Sequence, residues 1–311
     1  MPILESDPWR LQYFADVPCS DEVEIPTDDA TAYRLFPQYR WVYNRLLVAR
    51  SQELACGLPA HPPTQYPVFC KPITNLAGTG IESRTVRNAA EFGRYCRYGQ
   101  FWTEHLAGPH MSTDWAVVRG EPKWCRHAKG VAGLGGTFNY WIVEAATRPA
   151  LERHCREWIG HSLPDYTGMV NIETVGGRII GAHLRFADQW PDLYGPGWVE
   201  SVVALYEQGR WNYSDTDRVE GYSIVLFGPH GERYMHPSAA RQRYYRATPR
   251  VSSVQITFAE EQPAKTQAIP PGGFRLAIIN CTSLETGLQL RALMESDFGL
   301  FEEIDLQQMA S

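Results

Sequence analysis

The chain has 311 residues, 44% hydrophobic and 21% charged, the balance of a globular protein large enough for two or three subdomains. A net charge of −6 argues against a nucleic-acid surface driven by overall charge, and no run of about 18 apolar residues is present to span a membrane. Seven scattered cysteines without a Cys-x-x-Cys pair indicate reduced thiols, and residues 1–8 lack the basic-then-apolar pattern of a secretory leader, so a cytoplasmic protein is expected.

Residues 1–37 read as a polar arm, acidic around Ser20–Ala30. Tyr33–Leu58 has helical spacing through Trp41, Leu46, Leu47, Ala49 and Leu54, ended by Gly57 and Pro59. An apolar strand, Tyr66–Cys70, then ends on Lys71-Pro72, and a small-residue loop with Gly78 and Gly80 follows. Next come a short strand at Ser83–Val86, a helix over Asn88–Tyr98, and strands at Gln100–Leu106 and Ser112–Arg119. Gly120-Glu121-Pro122 turns the chain into a return strand entered through Lys123–Arg126. Gly130–Gly136 reads as a mobile glycine loop, Phe138–Val143 as an aromatic strand and Arg148–Gly160 as a helix. Gly176-Gly177 predicts a tight turn joining Tyr166–Val175 to Arg178–Phe186. Trp198–Gly209 carries a helical stripe of Val199, Val202, Val203 and Tyr206. Beyond Arg218 short strands at Tyr222–Phe227, Arg250–Phe258 and Phe274–Asn280 precede a terminal helix, Thr282–Glu295, capped by Thr282 or Ser283. Strands and helices alternate and then give way to an antiparallel tail, which predicts an α+β fold without a regular βαβ rhythm.

The chemistry concentrates at the Lys71 strand. A lysine at a strand end supplies a fixed positive charge, and a glycine loop lets backbone N–H groups approach phosphate oxygens. The loop lacks the Gly-x-x-x-x-Gly-Lys-Ser/Thr spacing of a P-loop, and the lysine precedes it. No Gly-x-Ser-x-Gly elbow, His-Glu-x-x-His helix or Gly-x-Gly-x-x-Gly fingerprint is present, so hydrolase, zincin and dinucleotide readings have no motif support.

The order of these features resembles the ATP-grasp superfamily over roughly residues 38–210. Trp41–Gly57 looks like its first helix, Tyr66–Gly80 like its Lys strand and phosphate-covering loop, and Phe101–Gly108 like its hinge. Ser112–Gly120 resembles the strand and turn that follow, and Thr167–Glu173 with Arg178–Arg185 resembles the hairpin that carries metal and substrate ligands. The resemblance implies a two-lobed fold: an arm at 1–37, a nucleotide-binding core at 38–215 with its small lobe near 60–120, and a β-rich extension at 216–311. It implies a carboxylate–amine or carboxylate–thiol ligase that uses ATP and Mg²⁺, forms an acyl-phosphate and releases ADP. Lys71 and Arg45 would meet the phosphates, and the backbone of Leu76, Ala77, Gly78, Thr79 and Gly80 would cover them. Glu104, His105 and Leu106 would hold adenine and ribose. Arg185 would face the acyl-phosphate, with Asp188 in the substrate pocket.

The hairpin departs from the family pattern, which reads Asp/Glu on the first strand and Glu-x-Asn-x-Arg on the second. With Arg185 aligned, Gly181 stands where a metal-binding Glu belongs and His183 where an Asn belongs. Asn171, Glu173 and His183 are then the candidate metal ligands; Asp188 or Asp192 is an alternative source of the missing carboxylate. A protein that binds nucleotide or a partner without catalysis is the competing reading, and a small-molecule kinase a third. The expected partners are a small carboxylic acid and an amine, with neither nucleic acid nor membrane, and oligomeric state is left open. His105 and His110 read as packing or surface residues, and Arg241–Arg246 as a solvated face. Gly272–Asn280 is expected to pack as an extra β-layer.

Overall fold

The computed structural model describes residues 14–74, 76, 80, 82–133, 137–229, 231–258, 260 and 274–300. The arm is not irregular throughout. Asp28 caps helix α1 (Asp29–Leu35), accepting from the Thr31 amide at 2.8 Å and the Thr31 hydroxyl at 2.9 Å. The helix expected over Tyr33–Leu58 is divided into a 3₁₀ turn at Pro37–Tyr43 and α2 (Arg45–Arg50), with extended Asn44 between them as the cap of α2. The cause of the break is tertiary. Asn44 pairs with Thr74, and the Arg45 amide donates to the Ile73 carbonyl at 2.8 Å, which pins the start of α2 to the segment after Lys71.

Strands β1 (Cys56–Gly57), β2 (Val68–Pro72), β3 (Arg84–Val86) and β4 (Gln100–Glu104) form a small antiparallel sheet in the order β1-β4-β2-β3. Helix α3 (Ala89–Tyr95), capped by Asn88, packs Phe92 against Val68, Cys70, Val86 and Cys96. The chain continues through β5 (His110–Val118), β6 (Glu121–Ala132), β7 (Phe138–Val143), α4 (Pro149–Ser162), β8 (Gly168–Val175), β9 (Arg178–His183) and α5 (Trp198–Gln208). It ends in β10 (Gly221–Gly228), β11 (Tyr234–Met235), α6 (Ala239–Ala247), β12 (Val251–Ile256), β13 (Phe274–Cys281), α7 (Leu284–Glu295) and β14 (Gly299–Leu300).

Eight of these strands make the large sheet, in the order β12-β13-β10-β7-β6-β5-β8-β9, every neighbouring pair antiparallel. The tail therefore does not form an extra layer. Its strand β10 pairs edge-on with β7, Tyr222 opposite Ile142 and Ile224 opposite Tyr140. Gly130–Ala132, expected in a loop, complete β6 because the β6–β7 ladder continues to Ala132 opposite Phe138. Residues 134–136 lie outside the described residues.

Both faces of the large sheet are covered. Helix α4 lays Cys155, Trp158 and Ile159 on Trp115, Val170 and Ile172, while α5 lays Trp198 and Val202 over Ala116 and Met169 on the other face. Because strand side chains alternate, His110, Ser112 and Asp114 point to the α5 side. Glu173 stands opposite Ser112, and Asn171 stands opposite both Asp114 and His183. This register gathers polar residues from three strands on one face.

The connection after α5 is anchored by a buried ion pair. Arg126 Nη1 lies 3.1 Å from Asp215 Oδ1, and the same guanidinium donates to the carbonyls of Glu144 at 2.7 Å and Val219 at 2.6 Å. Removing one partner of a buried pair strands the other charge, so Asp215→Ala is expected to cost about 3–5 kcal/mol. Urea unfolding checks this; a loss near zero would mean that water reaches the guanidinium.

Candidate active site

The site lies where β2 of the small sheet meets the β8–β9 hairpin of the large one. Lys71, near the end of β2, crosses between the sheets: its Nζ donates to the Ile180 carbonyl on β9 at 2.9 Å and lies 5.6 Å from the Phe101 ring centroid. Burial, with help from the nearby Arg45 guanidinium, pulls the Lys71 pKa down to about 7, against an opposing pull from Glu173. Arg45 opens α2 beside it, and burial lowers its pKa too, with Glu173 and Asp29 acting the other way. Two of the expected phosphate cations are thus brought together, in electrostatic reach of a hairpin carboxylate.

Of the loop expected to cover phosphate, only Leu76 and Gly80 are among the described residues. Leu76 packs against the core under α4, and Gly80 is exposed with φ +64°; Ala77, Gly78 and Thr79 lie outside the described residues. Glu104 ends β4 exposed, and its Oε1 accepts from the Ala55 amide at 3.0 Å, which ties the end of β4 to the segment before β1. His105 is exposed, and Leu106 packs with Leu46, Ala49, Leu54 and Phe101.

The hairpin turns through Gly176 and Gly177, at φ +57° and +83°, and a Cβ on Gly176 would lie 2.2 Å from the Ala107 carbonyl oxygen. Its polar face holds two linked groups. In the first, Asn171 spends both amide hydrogens, donating to Ser112 Oγ at 2.8 Å and Asp114 Oδ1 at 2.6 Å. Asp114 also accepts from the Ala187 amide at 2.9 Å and the Tyr194 hydroxyl at 2.7 Å. Burial pushes the Asp114 pKa up to about 6, although these donors favour its charged form.

In the second group Asp29, the first residue of α1, reaches the far end of β9. Its carboxylate lies 2.9 and 3.0 Å from His183 Nδ1, 3.1 Å from Arg185 Nε and 3.4 Å from Arg185 Nη2. Burial raises the Asp29 carboxyl, but Arg185 and His183 outweigh it and hold the group well below the usual carboxylate range. Arg185, expected to face an acyl-phosphate, is therefore paired within the chain. Glu173 sits between two imidazoles: His183 Nε2 is 4.0 Å from Oε1, and His110 Nε2 is 3.8 Å from Oε2. Burial pushes the Glu173 pKa up, yet His183, His110, Arg45 and Arg185 together bring it below its ordinary value.

Asp29 and His110 were not among the expected site residues. His110, read as packing or surface, does meet Phe138 and Trp141 edge to face, but its Nε2 faces Glu173. The Asp-Asp-x-Thr start of α1 is a sequence signal for a helix cap, though not for the contact with β9. Asp192 is not a spare carboxylate for the site, because its Oδ1 accepts from Asn280 Nδ2 at 2.6 Å and ties the Pro191–Tyr194 turn to β13. Asp188 lies near enough to Arg185 to favour its charged form.

No family model matches this chain, and no curated protein sequence does. Solved structures do. L-amino acid ligase from Bacillus licheniformis superposes with a TM-score of 0.60 at 12% identity, over 94% of this chain and 83% of that one. Phosphoribosylamine–glycine ligase from Thermotoga maritima gives 0.60 at 11% identity, over 93% and 85%. N5-carboxyaminoimidazole synthase from Aspergillus clavatus, solved with ADP, gives 0.58 at 11% identity, over 92% and 78%. The chain has the ATP-grasp fold. Strands β1–β4 fall in the stretch expected as the small lobe, and β8–β9 is the hairpin expected to carry metal ligands.

A magnesium ion at an ATP-grasp hairpin wants oxygen ligands in a near-octahedral array. Here Glu173 offers a carboxylate, and Asn171, with its amide hydrogens spent, offers only its carbonyl oxygen. Residue 181 has no side chain, and His183 presents nitrogen. This set does not fit a magnesium site of two carboxylates and an amide. Among the described residues no helix is long and apolar enough to cross a membrane.

Proposed function

We propose that the protein is an ATP-dependent ligase that joins a small carboxylic acid to an amine through an acyl-phosphate, releasing ADP and phosphate. The observation that carries this reading is Lys71 crossing from the small sheet to the Ile180 carbonyl of β9, with Arg45 and Glu173 in electrostatic reach, in a chain of ATP-grasp fold. In the reaction, a substrate carboxylate oxygen attacks the γ-phosphorus and the bond to the β–γ bridging oxygen breaks, giving ADP. The amine nitrogen then attacks the acyl carbon, the carbon–oxygen bond breaks with its electrons on phosphate, and one amine proton is lost.

Lys71 and Arg45 bind the polyphosphate, and their burial strengthens each contact relative to water. Lys71 exchanges the Ile180 carbonyl for a phosphate oxygen. Arg185 clamps the acyl-phosphate once it is released from Asp29, since a guanidinium takes carboxylate and phosphate in the same bidentate way. Glu104 and the chain through Leu106 line the adenine end.

The Asp29–Arg185 pair also favours a second reading, in which the protein binds nucleotide without ligating anything. One assay separates them. The full chain is incubated with ATP, Mg²⁺ or Mn²⁺ and a panel of carboxylic acids and amines, and ADP and phosphate are measured. ADP release that requires both an acid and an amine, reduced about 100-fold in Lys71→Ala and Arg185→Ala, is the expected result. ATP binding without ADP release for any pair would leave the second reading in place.

A further inference from the structure

The mismatch with magnesium has a definite chemical direction. His183 Nδ1 is fixed by both Asp29 oxygens, so its other nitrogen, Nε2, is the one turned toward Glu173. A Cβ built on Gly181 would lie 3.5 Å from that Nε2, which puts the imidazole nitrogen beside the space a side chain at 181 would enter. Nε2 is buried and has no hydrogen-bond partner, and the same is true of His110 Nε2 on the other side of Glu173. A buried, unpaired ring nitrogen is costly unless something meets it.

We propose that the hairpin binds a divalent transition ion through nitrogen, using His183 Nε2, Glu173 and His110 Nε2, in preference to magnesium. An ion bonded at about 2.1 Å to a nitrogen and an oxygen holds them about 3.0–4.2 Å apart, depending on the bond angle. The observed separations, 4.0 and 3.8 Å, exceed the roughly 3.4 Å of a tetrahedral pair, so both imidazoles close on the ion by about half an ångström as it binds. The imidazoles approach opposite oxygens of Glu173, so one ring must move to complete a three-ligand set. His110, with 24% of its side chain exposed against 6% for His183, has the room. Asp29 fills the place of the carboxylate that commonly orients a ligating histidine and raises its basicity. Zinc and cobalt accept imidazole readily and manganese more weakly, whereas magnesium selects oxygen. The inference goes beyond the ligase reading and does not need it.

Another cluster, Cys125, His127 and Glu152 beneath the sheet, is tighter, its ligand atoms within 4.8 Å of one another. Both ring nitrogens of His127 are already engaged there, Nδ1 with Thr113 Oγ1 at 3.0 Å and Nε2 with Glu152 Oε1 at 3.1 Å. It serves as the control site.

The test titrates the full chain, stripped of metal and free of nucleotide, with Mn²⁺, Co²⁺ and Mg²⁺ by calorimetry, following Co²⁺ also by visible absorption. The expected result is one Mn²⁺ or Co²⁺ site at least about 10-fold tighter than Mg²⁺, weakened about 10-fold or more in His183→Ala and in Asp29→Asn. His110→Ala, on the more exposed ring, is expected to weaken it as well and guards against misfolding of the buried variants. Gly181→Glu, which adds a carboxylate beside Nε2, should raise Mg²⁺ affinity about 10-fold. Equal affinity for Mg²⁺ and Mn²⁺ in the parent chain would overturn the proposal. So would Co²⁺ binding that persists in His110→Ala and His183→Ala but is lost in Cys125→Ser, since the ion would then lie beneath the sheet. The titration contains no nucleotide, so its failure is separate from a failure to release ADP.

Discussion

Asp29→Ala is expected to destabilise the fold by about 3–5 kcal/mol, because it removes the carboxylate paired with Arg185 and leaves the ring N–H of the buried His183 without an acceptor. The effect also carries a pH signature. In the unfolded chain Asp29 takes up its proton near pH 4, whereas in the folded protein Arg185 and His183 keep it ionised to well below that. Its contribution is therefore complete above about pH 4 and is lost as pH falls through the acid range, where the unfolded state binds the extra proton. Urea unfolding at pH 7 and pH 3 checks both parts: the penalty of Asp29→Ala should be large at the first and smaller at the second. A penalty under about 1 kcal/mol at pH 7 would mean that the helix and the hairpin do not depend on this pair.

ATP binding at pH 8 is expected to take up close to one proton, and Lys71→Met to abolish both the uptake and most of the affinity. With a pKa of about 7, Lys71 is largely neutral at pH 8 in the free protein. Phosphate oxygens favour its charged form, so the proton is drawn from solvent as the nucleotide binds. Calorimetry in two buffers of different ionisation enthalpy reads the uptake directly, and loss of one buried charge–phosphate contact corresponds to roughly a 100-fold weaker complex. Repeating the titration at pH 6, where Lys71 is already charged, should show little uptake. An enthalpy that does not depend on buffer at pH 8 would show that phosphate does not reach Lys71. The same depressed pKa implies that the nucleotide-free protein gains stability from pH 7 toward pH 10, at up to about 1.4 kcal/mol per unit, since the unfolded lysine holds its proton over that window.

The parts of the fold legible in the sequence are those fixed by local patterns. Phe138–Val143 is a run of aromatic and β-branched residues, Gly176-Gly177 can hardly be anything but a hairpin turn, and the stripe through Val202, Val203 and Tyr206 repeats at helical spacing. Elements decided by distant partners were not legible. The stretch from Tyr33 to Leu58 has helical composition throughout, yet it breaks at Asn44 because residues 73 and 74 claim its backbone. The site divides in the same way. Lys71 and Glu173 announce themselves by their place on strands of two different sheets. Asp29 lies 154 residues before His183 in the sequence, and only the packing of α1 brings the two together. His110 carries an aromatic environment that conceals its polar edge.

The pairing of β10 with β7 has one more consequence. In the sheet order, every strand from β10 to β12 hangs on Phe138–Val143 through that single ladder. A chain shortened at about residue 215 would bare the backbone N–H and C=O groups of an aromatic strand, a template for pairing with other molecules. The last third of the sequence thus acts as a seal: it closes a surface that would otherwise recruit copies of itself, and any natural or engineered shortening there would have to supply a new edge.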